Sequence, residues 1–359
     1  MERSIEHIDL NRDYETFKEL SLTCFGPGAN VDKAMHQWLL NDNPYYPDGN
    51  LLFLLKEGDK AIACDGLIPG ELYIHGKTLR MAHSVKTMTH PDYQRQGIFR
   101  MMTENSVEAG RKAGIDVILG LANAASYPGY QKFGWLSLFK REALVQPICL
   151  RGYLQRKIKS TALARLGSNV YGQILRQRCK QKDSGLSFEW LQQVPSEIQS
   201  CWERYKDLYE ILLVRDFKYL NYRYNQRPDV SYQTLIARRG QEIVGFAILR
   251  EGHTSHSVMG NVCEFFTDPF NEQDIAELSR AISRVALKKN WDYLVLSCGL
   301  YGLYLKVLKA NGYQPTPTPP PNDQMIALIL SGNVSPEEIT GADNWYCSQG
   351  EGDIELDLR

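Results

Sequence analysis

The sequence has no apolar run of about 18 residues, so it offers no candidate transmembrane helix. It has no excess of either charge, with 41 lysines and arginines against 42 aspartates and glutamates. That balance argues against a whole-molecule field drawing the chain onto nucleic acid or an anionic surface. Its eight cysteines form no C-x-x-C pair and keep no zinc spacing with histidine, which removes structural zinc and dithiol chemistry; no metal is expected. Most of them, such as Cys64 and Cys298, sit among apolar neighbours and read as small buried hydrophobes in a reducing compartment. The opening MERSIEHIDLNRDYE carries acids where a signal peptide needs a basic and then an apolar run, so a cytoplasmic location is expected.

What is present is the composition of a globular protein, 43% hydrophobic and 23% charged over 359 residues, a length that suggests about two domains. Residues 1–148 alternate short apolar runs with helical stretches. A helix is expected over 32–40 with Asp32 at its start, strands over 51–55 and 61–64, a hairpin over 71–82, a helix over 98–113 and a doubly covered strand over 116–122. Residues 151–182 carry nine lysines and arginines and no acid, while Leu154, Ile158, Leu163, Leu166, Val170 and Ile174 recur at near-helical intervals. This pattern suits a basic amphipathic helix; the simpler reading is a solvated connector, 149–186, with one face on protein. Residues 187–332 repeat the first rhythm: a helix over 215–224, strands over 232–238, 243–249 and 261–266, a helix to about 289, a strand over 292–297, a helix over 301–311 and a closing strand over 325–330. Five prolines within 315–321 demand an extended loop, and 333–359 reads as an acidic tail.

Chemistry concentrates in Met88-Thr-His-Pro-Asp-Tyr-Gln-Arg-Gln-Gly-Ile-Phe-Arg100, a strand end, a short loop and a helix start. Amides at such a junction have no intrahelical partners and sit at the positive end of the helix dipole, a seat for a pyrophosphate. Gly97 removes a side chain where phosphate must touch backbone, and Arg95 and Arg100 supply cations. The segment resembles the pyrophosphate loop Q/R-x-x-G-x-G/A of the GNAT acyltransferase superfamily, matching at Gln94 and Gly97 and departing at Phe99. Downstream, Asn123-Ala-Ala-Ser-Tyr-Pro-Gly-Tyr130-Gln-Lys-Phe-Gly134-Trp135 is similar to that family's N-x-x-A…Y-x-x-x-G-F block, with Trp135 closing it.

The resemblance implies an α+β fold of two GNAT-like domains, each a mostly antiparallel mixed sheet flanked by helices, the first active and the second degenerate. It implies acetyl-CoA or another acyl-CoA as co-substrate, held by Met88, Thr89, Gln94, Arg95, Gln96, Gly97, Ile98, Phe99, Arg100, Asn123 and Ser126, with Tyr130 as the phenol beside the sulfur. The implied reaction is N-acylation of a primary amine by direct attack. An amine of pKa ~10.4 needs a base or desolvation, the oxyanion needs a fixed donor (in this family a strand amide, here within 87–89), and a thiolate of pKa ~8.5 needs a proton or hydrogen bond. The base is open: His83, His90 and Asp65 lie near the right strands, and Glu351, Asp353, Glu355, Asp357 and the terminal carboxylate of Arg359 cluster in the tail. The second unit has three acids, Asp268, Glu272 and Asp274, where a pyrophosphate loop would stand, and Leu308 where the tyrosine would be. The acceptor is open among amino sugar, small metabolite and peptide. The donor is open between acetyl and fatty acyl, since residues 51–55 and Trp38 could face an acyl tunnel or fill the core. A non-catalytic CoA-binding protein, and one serving an acidic acyl carrier protein through the basic stretch, are the alternatives.

Overall fold

Apolar runs separated by tight turns become strands, and in the computed structural model, which describes residues 3–47, 49–158, 160–180, 184–254, 256–298, 301–316 and 324–351, they assemble into two sheets. The chain first lays down β1 (Arg3–His7), helices α1 (Tyr14–Phe25) and α2 (Lys33–Asn41), then β2 (Leu51–Glu57), β3 (Lys60–Ile74) and β4 (Lys77–Thr89). Asp32 caps α2 as expected, its Oδ1 accepting from Met35 N at 2.8 Å. The strands expected at 61–64 and 71–75 fuse into the single 15-residue β3. After α3 (Ile98–Lys112) come β5 (Val117–Ala122), α4 (Tyr127–Lys132) and β6 (Leu136–Lys140).

The next strands exchange sheets. β7 (Glu142–Pro147) is followed by α5 (Arg151–Lys157), α6 (Thr161–Arg178), β8 (Leu186–Leu191), α7 (Ile198–Tyr205) and β9 (Ile211–Leu213). Then come α8 (Phe217–Leu220), β10 (Gln233–Arg239), β11 (Glu242–His253), β12 (Val258–Thr267), α9 (Glu272–Lys289), β13 (Tyr293–Cys298), α10 (Tyr304–Ala310), β14 (Gln314–Pro315), β15 (Gln324–Ile329) and, past a short helical turn, β16 (Trp345–Tyr346). The first sheet runs β1-β2-β3-β4-β5-β15-β6 with β9 on β3 and β16 on β9; the second runs β14-β7-β13-β12-β11-β10-β8. The strand expected to close the second unit therefore lies in the first sheet, between β5 and β6, and β7 from the first 148 residues lies inside the second. Both travellers are apolar enough for a central place: Met325, Ile326 and Ala327 are buried, as are Ala143 and Leu144. The division of the sheets thus does not follow the boundaries at 148 and 332. The helix expected over 215–224 is shorter, α8 passing into a wider π-type turn at Asn221–Asn225.

Each sheet is mostly antiparallel, flanked by helices, and carries one parallel pair at its centre. β4 and β5 pair only at Met81–Val117, Ala82–Ile118 and His83–Leu119; β12 and β13 pair only at Met259–Tyr293, Gly260–Leu294 and Asn261–Val295. Beyond those three pairs the strands part, making a V in each sheet. Seven cysteines with described side chains are free thiols, and five of them (Cys64, Cys179, Cys201, Cys263 and Cys347) are buried.

The V of the second sheet is filled by the chain's own later residues. Gly350 N donates to Cys263 O at 2.8 Å, Gln349 Nε2 donates to Asn261 Oδ1 at 3.1 Å, and the Tyr346 hydroxyl donates to Phe265 O. The void left there is about 10 Å³. Glu351, read from the sequence as part of an acidic tail and a base candidate, is buried against Arg215, which also pairs with Glu264 at 3.0 Å. Residues 353, 355, 357 and 359, named with it, lie outside the described residues.

The basic connector is a helical hairpin, α5 and α6, with Leu154 packed over Gly167. Ala164, Ser168 and Leu175 face the protein, while Leu163, Leu166, Val170 and Ile174 face outward. Of the apolar series expected to seat the connector on protein, Leu154 and Ile158 are half-buried, while the four residues on α6 form its solvent side. Among the described residues no helix is long and apolar enough to cross a membrane.

Candidate functional site

The V of the first sheet opens into a cavity of about 920 Å³. Its shape begins with a bulge. Cys64 pairs with Met88 and Gly66 with Val85, so Lys86 and Thr87 together oppose Asp65. Lys86 takes up the extra residue with φ +55°, a left-handed conformation that a lysine adopts only under constraint. The bulge turns β4 away from β5 and brings Lys86 and Thr87 to the cavity wall.

Opposite β4 stands the start of α3. Arg95 (φ +62°) and Gly97 (φ +76°) flank Gln96 in left-handed conformations, the alternation that gathers amides into an anion-binding nest. Gly97 is the residue before α3, and a helix start leaves the amides of Ile98, Phe99 and Arg100 without a carbonyl one turn back. A side chain at Gly97 would meet no neighbour, so glycine is there for its φ alone. Two cations, Lys86 and Arg95, and no carboxylate line the cavity among the described residues, a field that suits a phosphate.

Tyr130 lies on α4 at the inner end. Its hydroxyl is 3.3 Å from Thr87 Oγ1 and 3.5 Å from Ser84 Oγ, and its ring meets Phe99 edge to face at 5.1 Å. Phe99, the departure from the family loop, has a place made for it: a Cβ at Gly129 would come within 2.6 Å of its ring. Thr87 Oγ1 donates to Asp65 Oδ1 at 2.5 Å. Asp65 is fully buried, and burial pushes its carboxyl up to about 6 despite hydrogen bonds that favour the ionised form.

The residues singled out in the sequence divide in two groups. Met88, Thr89, Gln94, Arg95, Gly97, Ile98, Phe99, Asn123, Ser126 and Tyr130 all line the cavity. Asn123 Oδ1 accepts from the amides of Ala125 and Ser126, both at 2.9 Å, and so shapes the turn into α4. Gln96 and Arg100 turn elsewhere: Gln96 Oε1 accepts from Arg3 at 2.8 Å, and Arg100 donates to Glu104 at 2.7 Å on the outer face of α3. Of the base candidates, His83 is buried in a separate small pocket beside Arg223, and burial lowers it to about 3; His90 caps the turn at Asp92 N. Residues 51–55 and Trp38 belong to the core: Leu51–Leu55 are buried, and Trp38 stacks on Tyr222 and donates to its carbonyl at 3.0 Å.

Sequence reasoning missed the wall formed by Ser21, Phe25 and Asn30, because nothing local in α1 reports what it packs against. It named Asp65 as a base candidate but missed that its carboxylate reaches Tyr130 through Thr87; the aspartate's place inside the apolar run Ile62-Ala-Cys-Asp-Gly-Leu67 was the visible signal. In the second unit Tyr304 is buried, its hydroxyl held by Tyr209 and by Thr267 O at 2.9 Å.

Residues 9–137 match a family model described as acetyltransferase (GNAT) domain. No curated protein matches the chain. Among solved structures, a GCN5-related N-acetyltransferase from Anabaena variabilis aligns with TM-score 0.65 at 10% identity, covering 92% of this chain and 73% of that one. A conserved protein from Enterococcus faecalis, described as a probable N-acyltransferase, aligns with TM-score 0.63 at 11% identity over 92% and 73%. N-myristoyltransferase from Saccharomyces cerevisiae, with bound myristoyl-CoA, aligns with TM-score 0.60 at 13% identity over 96% and 88%. The chain is thus similar in sequence to a GNAT acetyltransferase domain over residues 9–137, the part that holds the first cleft, and similar in fold to these structures over nearly its whole length.

Proposed function

We propose that the first cleft transfers an acyl group, acetyl foremost, from acyl-CoA to a primary amine by direct attack. The observation that carries this reading is the convergence of three features on one cavity: the parted strands β4 and β5, the amides at the start of α3, and the Tyr130 hydroxyl. In this reading the amides of residues 95–100, with the Arg95 side chain, hold the diphosphate. A strand amide within 87–89, freed by the bulge, stabilises the oxyanion. Tyr130 protonates or hydrogen-bonds the departing thiolate, and Asp65 acts through Thr87 to fix the phenol's orientation. A short donor is favoured because residues 51–55 and Trp38, which could have walled a long acyl tunnel, fill the core.

The test measures thiol release from acetyl-CoA and myristoyl-CoA against a panel of amino sugars, small amines and peptides. Amine-dependent release with acetyl-CoA is expected. CoA binding without release across the panel would turn the reading to a CoA-binding protein without turnover.

A further inference from the structure

α6 presents an apolar stripe to solvent. Leu163, Leu166, Val170 and Ile174 fall on one side of the helix by its 3.6-residue period, and they are 59%, 61%, 48% and 47% exposed. Four aliphatic side chains in a row at such exposure form a patch, unlike scattered surface residues. Tyr153 on α5 is also exposed. The charges of the hairpin are of one sign: on α6, Arg178 borders the stripe while Arg165 and Arg176 are exposed farther round, toward the protein-facing side, Arg151, Lys157 and Lys180 are also exposed, and residues 151–182 hold no acid. Elsewhere acids outnumber bases, 42 against 32, so this is a local cationic surface with an apolar ridge on an otherwise acidic chain.

We propose that the α5–α6 hairpin docks the protein on an anionic lipid bilayer, with α6 lying in the interface plane and its four aliphatics entering the headgroup boundary. Charge complementarity names the occupant. Anionic lipids attract each lysine or arginine near the surface, and a helix that joins an apolar stripe to a basic polar surface is the form that lies on a membrane without crossing it. A second copy of the same face would bring two cationic hairpins together across a two-fold axis with no acid of either to offset them. An acidic protein would satisfy the charges, yet the stripe is a convex ridge on a single helix, which a fluid bilayer admits without a matching groove. The opposite face, Ala164, Ser168 and Leu175, is already committed to the protein core, so docking leaves the fold unchanged.

Vesicle flotation of the full chain tests this. Vesicles of phosphatidylcholine with about one third phosphatidylserine should carry at least ~10-fold more protein than pure phosphatidylcholine, and about 0.5 M salt should weaken the attachment through screening. Leu166→Glu with Val170→Glu should lower attachment at least ~10-fold with the thermal midpoint unchanged, and Leu163→Ser with Ile174→Ser serves where the glutamates impair folding. Arg165→Gln with Arg176→Gln should weaken attachment to anionic vesicles and flatten its salt dependence. Equal attachment to both vesicle types, attachment that survives both sets of stripe variants, or no attachment at all would overturn the proposal. Loss of a dimer in the stripe variants, or binding to an acidic acyl carrier protein with no vesicle attachment, would overturn it in favour of that partner.

Discussion

The hydroxyl of Thr87 lies 3.3 Å from that of Tyr130. Thr87 gives its own proton to Asp65, so its lone pairs face the phenol and hold it against the wall of the cleft. Tyr130→Phe is expected to lower amine-dependent thiol release by about 10²–10⁴-fold, the range of a positioned proton donor, with the acyl-CoA dissociation constant unchanged. Thr87→Val should lower kcat less, again without moving KM for the donor, whereas Thr87→Ser should keep the activity. Steady-state kinetics beside titration calorimetry checks all three, and full turnover in Tyr130→Phe removes the phenol from the mechanism.

Asp65 also predicts a pH dependence of stability. Its carboxyl is raised by burial from 3.8 to about 6, so the native state binds the proton more tightly than the unfolded chain. The contribution is complete below about pH 4 and is lost as pH rises through about 6. The displacement corresponds to roughly 3 kcal/mol. Asp65→Asn should flatten the fall in unfolding free energy between about pH 4 and pH 7 by that order, as measured by urea titration at each pH. An unchanged slope would mean that Asp65 ionises normally.

Arg215 stands buried between Glu264 and Glu351, in the segment that fills the second V. Arg215→Met strands two carboxylates away from water and from their shared cation. The expected cost is about 3–5 kcal/mol of global stability, read from chemical denaturation. A cost under about 1 kcal/mol would show that the segment is held by its apolar contacts instead.

Features set by a few adjacent residues were readable before the structure. Gly97 before a helix, Asp32 at the start of α2, and a buried strand at Val117–Ala122 all depend on local backbone chemistry. Features set by the choice of partner were not. β15 is largely apolar on both faces and β7 carries Ala143, Leu144 and Val145 in a row, so neither strand's own residues name its sheet and their exchange is decided by the assembled core. The stripe on α6 was visible as periodicity, but a period reports that a face is apolar and not which medium it meets. Glu351 read only as one acid of a tail because its partner Arg215 lies 136 residues away in sequence.

Isothermal titration of the full chain with coenzyme A tests the central claim most directly. One nucleotide should bind per chain, in the cleft beside Gly97, with Gly97→Val weakening it strongly, since a β-branched residue cannot hold φ near +76° there. Two nucleotides per chain would mean that residues 345–351 do not close the second V. None would contradict the acyl-transfer account altogether.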